Sequence, residues 1–184
     1  MELILAEKPS AARNFAKALG GKTGNYAGTE YKITNLRGHV MGLLPPDKQV
    51  PTEKVEFYKS WDLENLPWNL KDFAWKKGIL SGCKDIISGL KDELKEADCV
   101  VIATDVDPSG EGELLAWEAL EKCGWRGPTK RMYFADEAPA SVQKAFRERK
   151  TLPSMNKDGD YVKAVVRERW DLASMQFTRA ATLV

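Results

Sequence analysis

Short unbroken apolar runs alternate along this chain with longer stretches in which apolar residues recur every three or four positions. Glu2–Ala6 and Cys99–Ala103 are of the first kind and read as buried strands. Each leads through a loop into a helix. After the first, Pro9 or Ser10 opens a helix with Ala12, Phe15, Ala16 and Leu19 at helical spacing, closed by Gly20-Gly21. After the second, a loop through Gly110 enters a helix over Glu111–Cys123 that carries Leu114, Leu115 and Leu120. Cys83–Ala97 predicts an amphipathic helix through Ile86, Ile87, Leu90 and Leu94, and Pro139 opens one that buries Val142, Ala145 and Phe146. Tyr31–Leu36, His39–Leu44 and Arg131–Phe134 read as further strands. Residues 47–78 are rich in Trp, Pro and Lys with little periodicity and predict an irregular excursion. Strands and helices alternating at these lengths predict an α/β fold, a parallel sheet with helices on both faces, over residues 1–150. Thr151–Gly159 is a polar linker, and Tyr161 to about Gln176 is a helix outside the sheet's pattern, so 151–184 is expected to begin an adjoining helical part.

Composition narrows the class. Of 184 residues, 43% are hydrophobic and 30% charged, which excludes a disordered tail, a collagen-like repeat and a coiled-coil rod. No apolar run approaches the roughly 18 residues of a membrane span, so no membrane partner is expected. The three cysteines are odd in number and far apart, consistent with reduced thiols and a cytoplasmic location. His39 is the only histidine, so neither a His–Cys metal site nor a serine triad can be assembled. The net charge of +1 gives no global hint of a nucleic-acid partner, but it hides a segregation. Ten acids stand between Asp92 and Glu121, opposed only by Lys95, and the sign reverses from Lys122 to Lys150. Most of this reads as solvated helix faces. Asp105 and Asp107 do not, because they follow directly on a buried strand.

Ligands of parallel sheets bind where the strands end. Glu7 closes one strand, and Asp105 and Asp107 follow another; if those strands are neighbours, the carboxylates converge. Carboxylates so close repel, and one takes up a proton unless a cation intervenes. Mg²⁺, which uses one or two carboxylates plus waters and phosphate oxygens, is the natural remedy. Lys8 beside Glu7 is then placed to meet a phosphate or a leaving oxygen. A lone Asp-x-Asp is a weak signal. Combined with a Glu ending the first strand and Gly-Glu opening the next helix, it becomes a stronger one. The competing reading makes Asp105 and Asp107 turn formers and Glu7 a helix-start charge. Gly110 and Gly112 flank Glu111, but no phosphate-loop or dinucleotide signature accompanies them.

These residues resemble the Toprim domain of type IA DNA topoisomerases, in their topoisomerase III branch. The matching stretches are Leu5-Ala6-Glu7-Lys8-Pro9-Ser10-Ala11-Ala12-Arg13, Arg37-Gly38-His39-Val40, Trp61-Asp62-Leu63 with Leu66-Pro67, and residues 103–113 from Ala103 to Glu113. They continue in Arg131-Met132-Tyr133-Phe134, Ala145-Phe146 and Phe177-Thr178-Arg179-Ala180, so the likeness runs in order along nearly the whole chain. The resemblance implies a Rossmann-like Toprim fold and a Mg²⁺-dependent enzyme. Such an enzyme cuts and religates one DNA strand through a 5′-phosphotyrosyl intermediate. Its substrate is the single-stranded region of negatively supercoiled DNA, its further partner the rest of the same polypeptide, and its expected state a monomer. It also implies Glu7 and Lys8 as catalytic residues, with Glu7, Asp105, Asp107 and Glu111 as the metal carboxylates. Two departures stand out. The family usually reads DPDREGE, and here Ser109 fills the slot of the third acid and Pro108 that of the arginine. None of Tyr26, Tyr31, Tyr58, Tyr133 or Tyr161 has the nucleophile's context, so that tyrosine is expected beyond residue 184 and the fragment alone is not expected to relax DNA.

Candidate DNA contacts are Arg37, His39, Arg131, Arg167, Arg169 and Arg179. Each has a plainer alternative: a turn histidine for His39, an ion pair for Arg131, solvated surface for the helix arginines. Trp61, Trp68 and Trp75 suit packing better than base stacking. Two rival functions remain: another Toprim enzyme, a nuclease or primase using metal-activated water or nucleotides, or a non-catalytic DNA-binding module with a degenerate metal site.

Overall fold

Glu2–Ala6 (β1) and Cys99–Ala103 (β6) are buried along their whole length, as an unbroken apolar strand must be when helices cover both of its faces. The computed structural model describes residues 1–183. Its elements follow as α1 (Pro9–Leu19), β2 (Thr23–Tyr26), β3 (Thr29–Asn35), β4 (Met41–Leu43), α2 (Val55–Tyr58), β5 (Lys77–Ile79) and α3 (Lys84–Glu93). After β6 come α4 (Glu111–Cys123), β7 (Thr129–Arg131), α5 (Pro139–Arg147), β8 (Lys150–Thr151) and α6 (Gly159–Leu183). The main sheet has the order β2–β3–β1–β6–β7–β8. Its four central strands are parallel, and both edges are antiparallel.

Side-chain alternation divides the core into two layers. Ile4, Ala6, Val101 and Ala103 face a cluster with Phe15, Ala18 and Leu19 of α1 and Val142, Ala145 and Phe146 of α5. Leu3, Leu5, Val100 and Ile102 alternate with them and are equally buried, on the side where α3 and α4 pack together. Pro9 and Pro139 each occupy a first-turn position, where the missing N–H costs nothing. Gly20 ends α1 in the left-handed conformation at φ 97°.

The expected fold class holds, with corrections at the margins. β7 lies two residues earlier than the expected Arg131–Phe134, and β2, β5 and β8 were not anticipated. β2 carries no buried side chain, so it leaves no hydrophobic alternation to read. The chain forms two compact units, Met1–Val40 with Leu80–Ala164, and Met41–Ile79 with the chain from Val165 onward. Toward the C-terminus the change of unit falls after Ala164, inside α6. Residues 151–158 stay with the sheet: Leu152 N donates to Thr129 O at 2.9 Å, and buried Asp158 accepts from Trp117 Nε1 at 2.9 Å.

In the second unit the excursion is ordered by one glutamine and an aromatic cluster. Gln49 is buried and donates to Leu44 O and Lys76 O while accepting from Lys76 N. Tyr58, Trp68 and Phe73 form the cluster, flanked by Trp61, Trp75 and Leu172. Gln176 of α6 accepts from the buried Trp68 N at 2.6 Å. Trp68 thus packs, as favoured over stacking.

Candidate active site

Parallel pairing assembles this site before any side chain acts. β1 and β6 are neighbours in register, Ala6 opposite Ala103, so Glu7 and the Thr104-Asp105 segment leave the sheet side by side. The loop after β3 closes over them, with Leu36 N donating to Ala6 O and Gly38 N to Glu7 O, each at 2.9 Å. Glu7 Oε2 accepts from Asp105 N at 3.1 Å. Lys8 Nζ lies 3.4 Å from Asp105 Oδ2, with both side chains about half exposed. The Asp105 carboxylate beside it raises the Lys8 pKa above the ordinary value.

Asp107 turns the other way, into the start of α4. It accepts from Ser109 N at 2.7 Å, from the Ser109 hydroxyl and from Gly112 N at 3.4 Å. Burial pushes its carboxyl up, but the hydrogen bonds from Ser109, Gly112 and Glu111 outweigh that and hold it below the ordinary range. Ser109, which replaces the usual acid, therefore has a definite place: it helps seat Asp107. Glu111 points outward and lies 2.7 Å from His39 Nε2.

The start of α4 is pressed against the acidic loop. A Cβ at Gly112 would stand 2.1 Å from Asp105 O, and one at Gly110, where φ is +77°, would stand 2.2 Å from Asp160 O. Thr104 Oγ1 donates to Gly112 O at 2.8 Å. Beneath the loop is a buried ion pair. Arg131 Nε donates to Glu113, Nη1 to Thr104 O at 2.7 Å and Nη2 to Asp105 O at 3.0 Å. Arg131 is 0% exposed and Glu113 2%. Burial raises the Glu113 pKa, and the Arg131 guanidinium works against that rise.

The expected site residues therefore divide. Glu7, Lys8 and Asp105 meet; Asp107 is in the same loop but committed to α4; Glu111 pairs with His39. Arg37 is exposed, 3.9 Å from Asp85. Arg131 is a correction as a DNA contact: its guanidinium donates inward and has no exposed surface, so the alternative of an ion pair is what the fold contains. In the second unit, Arg167 lies 3.8 Å from Asp171, Arg169 sits over the Trp75 ring at 4.8 Å, and Arg179 lines a shallow cavity with Trp61 and Met175. The Glu113–Arg131 brace was missed in the sequence. Its signal was an arginine leading directly into the apolar Met132-Tyr133-Phe134 and a glutamate on the buried face of α4.

Among the described residues, no three His, Cys, Asp or Glu side chains converge to form a cage for a metal. Mg²⁺ rarely needs one, because waters and phosphate oxygens complete its shell. Carboxylate oxygens of Asp105 and Asp107 on one loop, with no thiol among them, suit that hard cation. A cavity of about 640 Å³ lined by Trp117, Trp125 and Met155 lies toward the start of β7, away from these acids, and takes no part in this edge.

The Toprim domain model matches residues 2–136 of this chain. The chain belongs to the Toprim domain family. Curated relatives narrow this to type IA topoisomerase-like proteins: DNA topoisomerase 3 of Staphylococcus epidermidis is 30% identical over 80% of this chain and 20% of its own length. DNA topoisomerase 3 of Bacillus subtilis is 30% identical, and that of Bacillus cereus 29%, each over 98% of this chain and 24% of its own length. The chain thus spans between 20% and 24% of the length of these relatives. Among solved structures, full-length topoisomerase I of Thermotoga maritima shares the fold, with a TM-score of 0.56 and 23% identity over 81% of this chain and 21% of that one.

Proposed function

We propose that these residues are the Mg²⁺-binding Toprim part of a type IA DNA topoisomerase. That enzyme cleaves and religates one DNA strand through a 5′-phosphotyrosyl intermediate, with the tyrosine supplied from outside this sequence. The observation that carries the reading is the β1/β6 register, which puts Glu7 and Lys8 against Asp105. Mg²⁺ held by Asp105 and Asp107, with Glu7 and Glu111 at its margin, would neutralise charge on the phosphodiester. Lys8, half-exposed beside Asp105, would face the phosphate. Glu7 would stand at the leaving 3′ oxygen, which needs a proton when the bond to phosphorus breaks. Tyr31 and Tyr58 suit no attack on phosphorus. Tyr31 donates its hydroxyl to Leu19 O, and Tyr58 donates to Asp72 with its pKa pushed up to about 12 by burial and that carboxylate. Arg37 and His39, and in the second unit Arg167, Arg169 and Arg179, would meet the backbone of single-stranded DNA. The protein would act as a monomer in the cytoplasm.

Calorimetric titration of the chain with Mg²⁺, with and without a single-stranded oligonucleotide, tests this. Binding that strengthens beside DNA and disappears in D105N/D107N is expected; binding indifferent to that double change overturns the assignment. A second reading, a DNA-binding module with a degenerate metal site, is favoured by one observation: both Asp107 oxygens already accept hydrogen bonds from the chain. Oligonucleotide binding with no Mg²⁺ uptake would select it.

A further inference from the structure

We infer that Arg131, clamped by Glu113, is a positioning residue that holds the acidic loop in the shape that presents Asp105. The inference rests on the reading above only for its consequence for the cation; the geometry stands without it. Arg131 belongs to β7, next to β6 in the sheet, and its side chain runs under the loop that follows β6. One planar fork reaches three backbone carbonyls, one near the end of β6 and two in the loop, and a carboxylate. Nη1 donates to Thr104 O and, at 3.4 Å, to Ile102 O; Nη2 donates to Asp105 O; Nε donates to Glu113. The Tyr133 ring lies 5.6 Å from the guanidinium carbon.

The direction of these bonds decides what the pair does. Carbonyls that follow a strand end have lost their ladder partners, and buried ones must find donors. Thr104 is 0% exposed, so its carbonyl, with that of Asp105, depends on Arg131. With Thr104 O drawn down to the guanidinium, Asp105 N, which lies anti to that carbonyl in the same trans peptide plane, faces the opposite way and donates to Glu7. The Asp105 side chain is left at the surface beside Lys8. The same brace backs the start of α4, because Glu113 lies in its first turn, close after Gly112, whose Cα faces Asp105 O. Glu113 supplies the charge that lets a cation be buried there. Arg131 supplies the reach. A lysine could match the charge, but its three donors on a single nitrogen cannot serve three carbonyls and the Glu113 carboxylate together.

A buried pair can serve stability alone, and the variants must separate the two roles. Replacing both charges with apolar residues of similar volume is commonly tolerated, whereas removing one leaves the other uncompensated. The informative variant is therefore E113L/R131M, with R131K as the conservative companion. Amide hydrogen exchange at Asp105, read with the melting temperature, is the primary measurement. Exchange at Asp105 should rise at least tenfold in E113L/R131M at a melting temperature close to wild type, and by less in R131K. Wild-type protection at Asp105 in a folded E113L/R131M overturns the inference. If the double variant does not fold, R131K decides alone: unchanged protection at Asp105 overturns, increased exchange confined to 104–107 supports. Mg²⁺ affinity, measured on the same proteins, should fall roughly 10- to 100-fold in E113L/R131M, as for partners of ligand-bearing groups. Loss of Asp105 protection with Mg²⁺ affinity unchanged would leave the brace standing and count against the metal assignment, so the two failures are distinct.

Discussion

Asp107 and Gly112 show how much a single position decides here. The Asp107 carboxyl is held below its ordinary value of 3.8 by hydrogen bonds that exist only in the folded chain. A depressed folded pKa stabilises above the unfolded value, and the contribution is lost as pH falls through the folded one. D107N keeps an acceptor but removes the charge, and should therefore cost about 1 kcal/mol at neutral pH, as for a carboxylate lost from a helix start. The gap to wild type should close as pH drops below the ordinary value, in melting curves taken from pH 7 to pH 2.5. Gly112 allows a backbone approach that no other residue permits. G112A must push Asp105 O away from 2.1 Å, and a cost of about 1–3 kcal/mol is expected, as for overpacking. The same variant should weaken Mg²⁺ uptake, because the displaced atom belongs to the acidic loop. Calorimetry showing full stability and full uptake in G112A would contradict this packing.

At the scale of elements, the strands and helices that bury a face were readable and those that do not were hidden. β1, β6, α1 and α4 match the expected limits because their apolar residues sit at one period throughout. β2 depends instead on a tight turn through Ala27 and Gly28, both at positive φ, and on pairing with β3, neither of which writes a pattern. The start of α6 is similar. Asp158 accepts from Asp160 N at 3.1 Å and Tyr161 N at 3.4 Å through one oxygen, and from Trp117 through the other. D158A removes a cap and strands a buried indole N–H, so a loss of about 2 kcal/mol is expected. W117F removes the same bond together with part of the buried indole, so the loss in D158A/W117F should fall short of the sum of the two single losses. Strict additivity in chemical denaturation would show that Asp158 does not link the two elements.

For the whole molecule, the expected behaviour follows from the proposed function. On that reading, D105N/D107N in a topoisomerase carrying these residues should abolish Mg²⁺-supported relaxation of negatively supercoiled plasmid. The 184-residue chain alone should bind Mg²⁺ yet leave the plasmid unrelaxed. Relaxation by the isolated chain would refute the external tyrosine. What the sequence determined by itself was the alternation of strands and helices, and hence a parallel sheet whose strand-end acids Glu7, Asp105 and Asp107 share an edge. Hydrophobic period and the rule that such sheets bind at their strand ends suffice for that. Tertiary structure alone decided how those acids are used: Glu7 turned to the Asp105 amide, Asp107 to α4, and Arg131 buried beneath them rather than offered to DNA. Such choices depend on which donor lies within about 3 Å of which acceptor after packing, and no pattern along a chain carries distances between residues 98 positions apart.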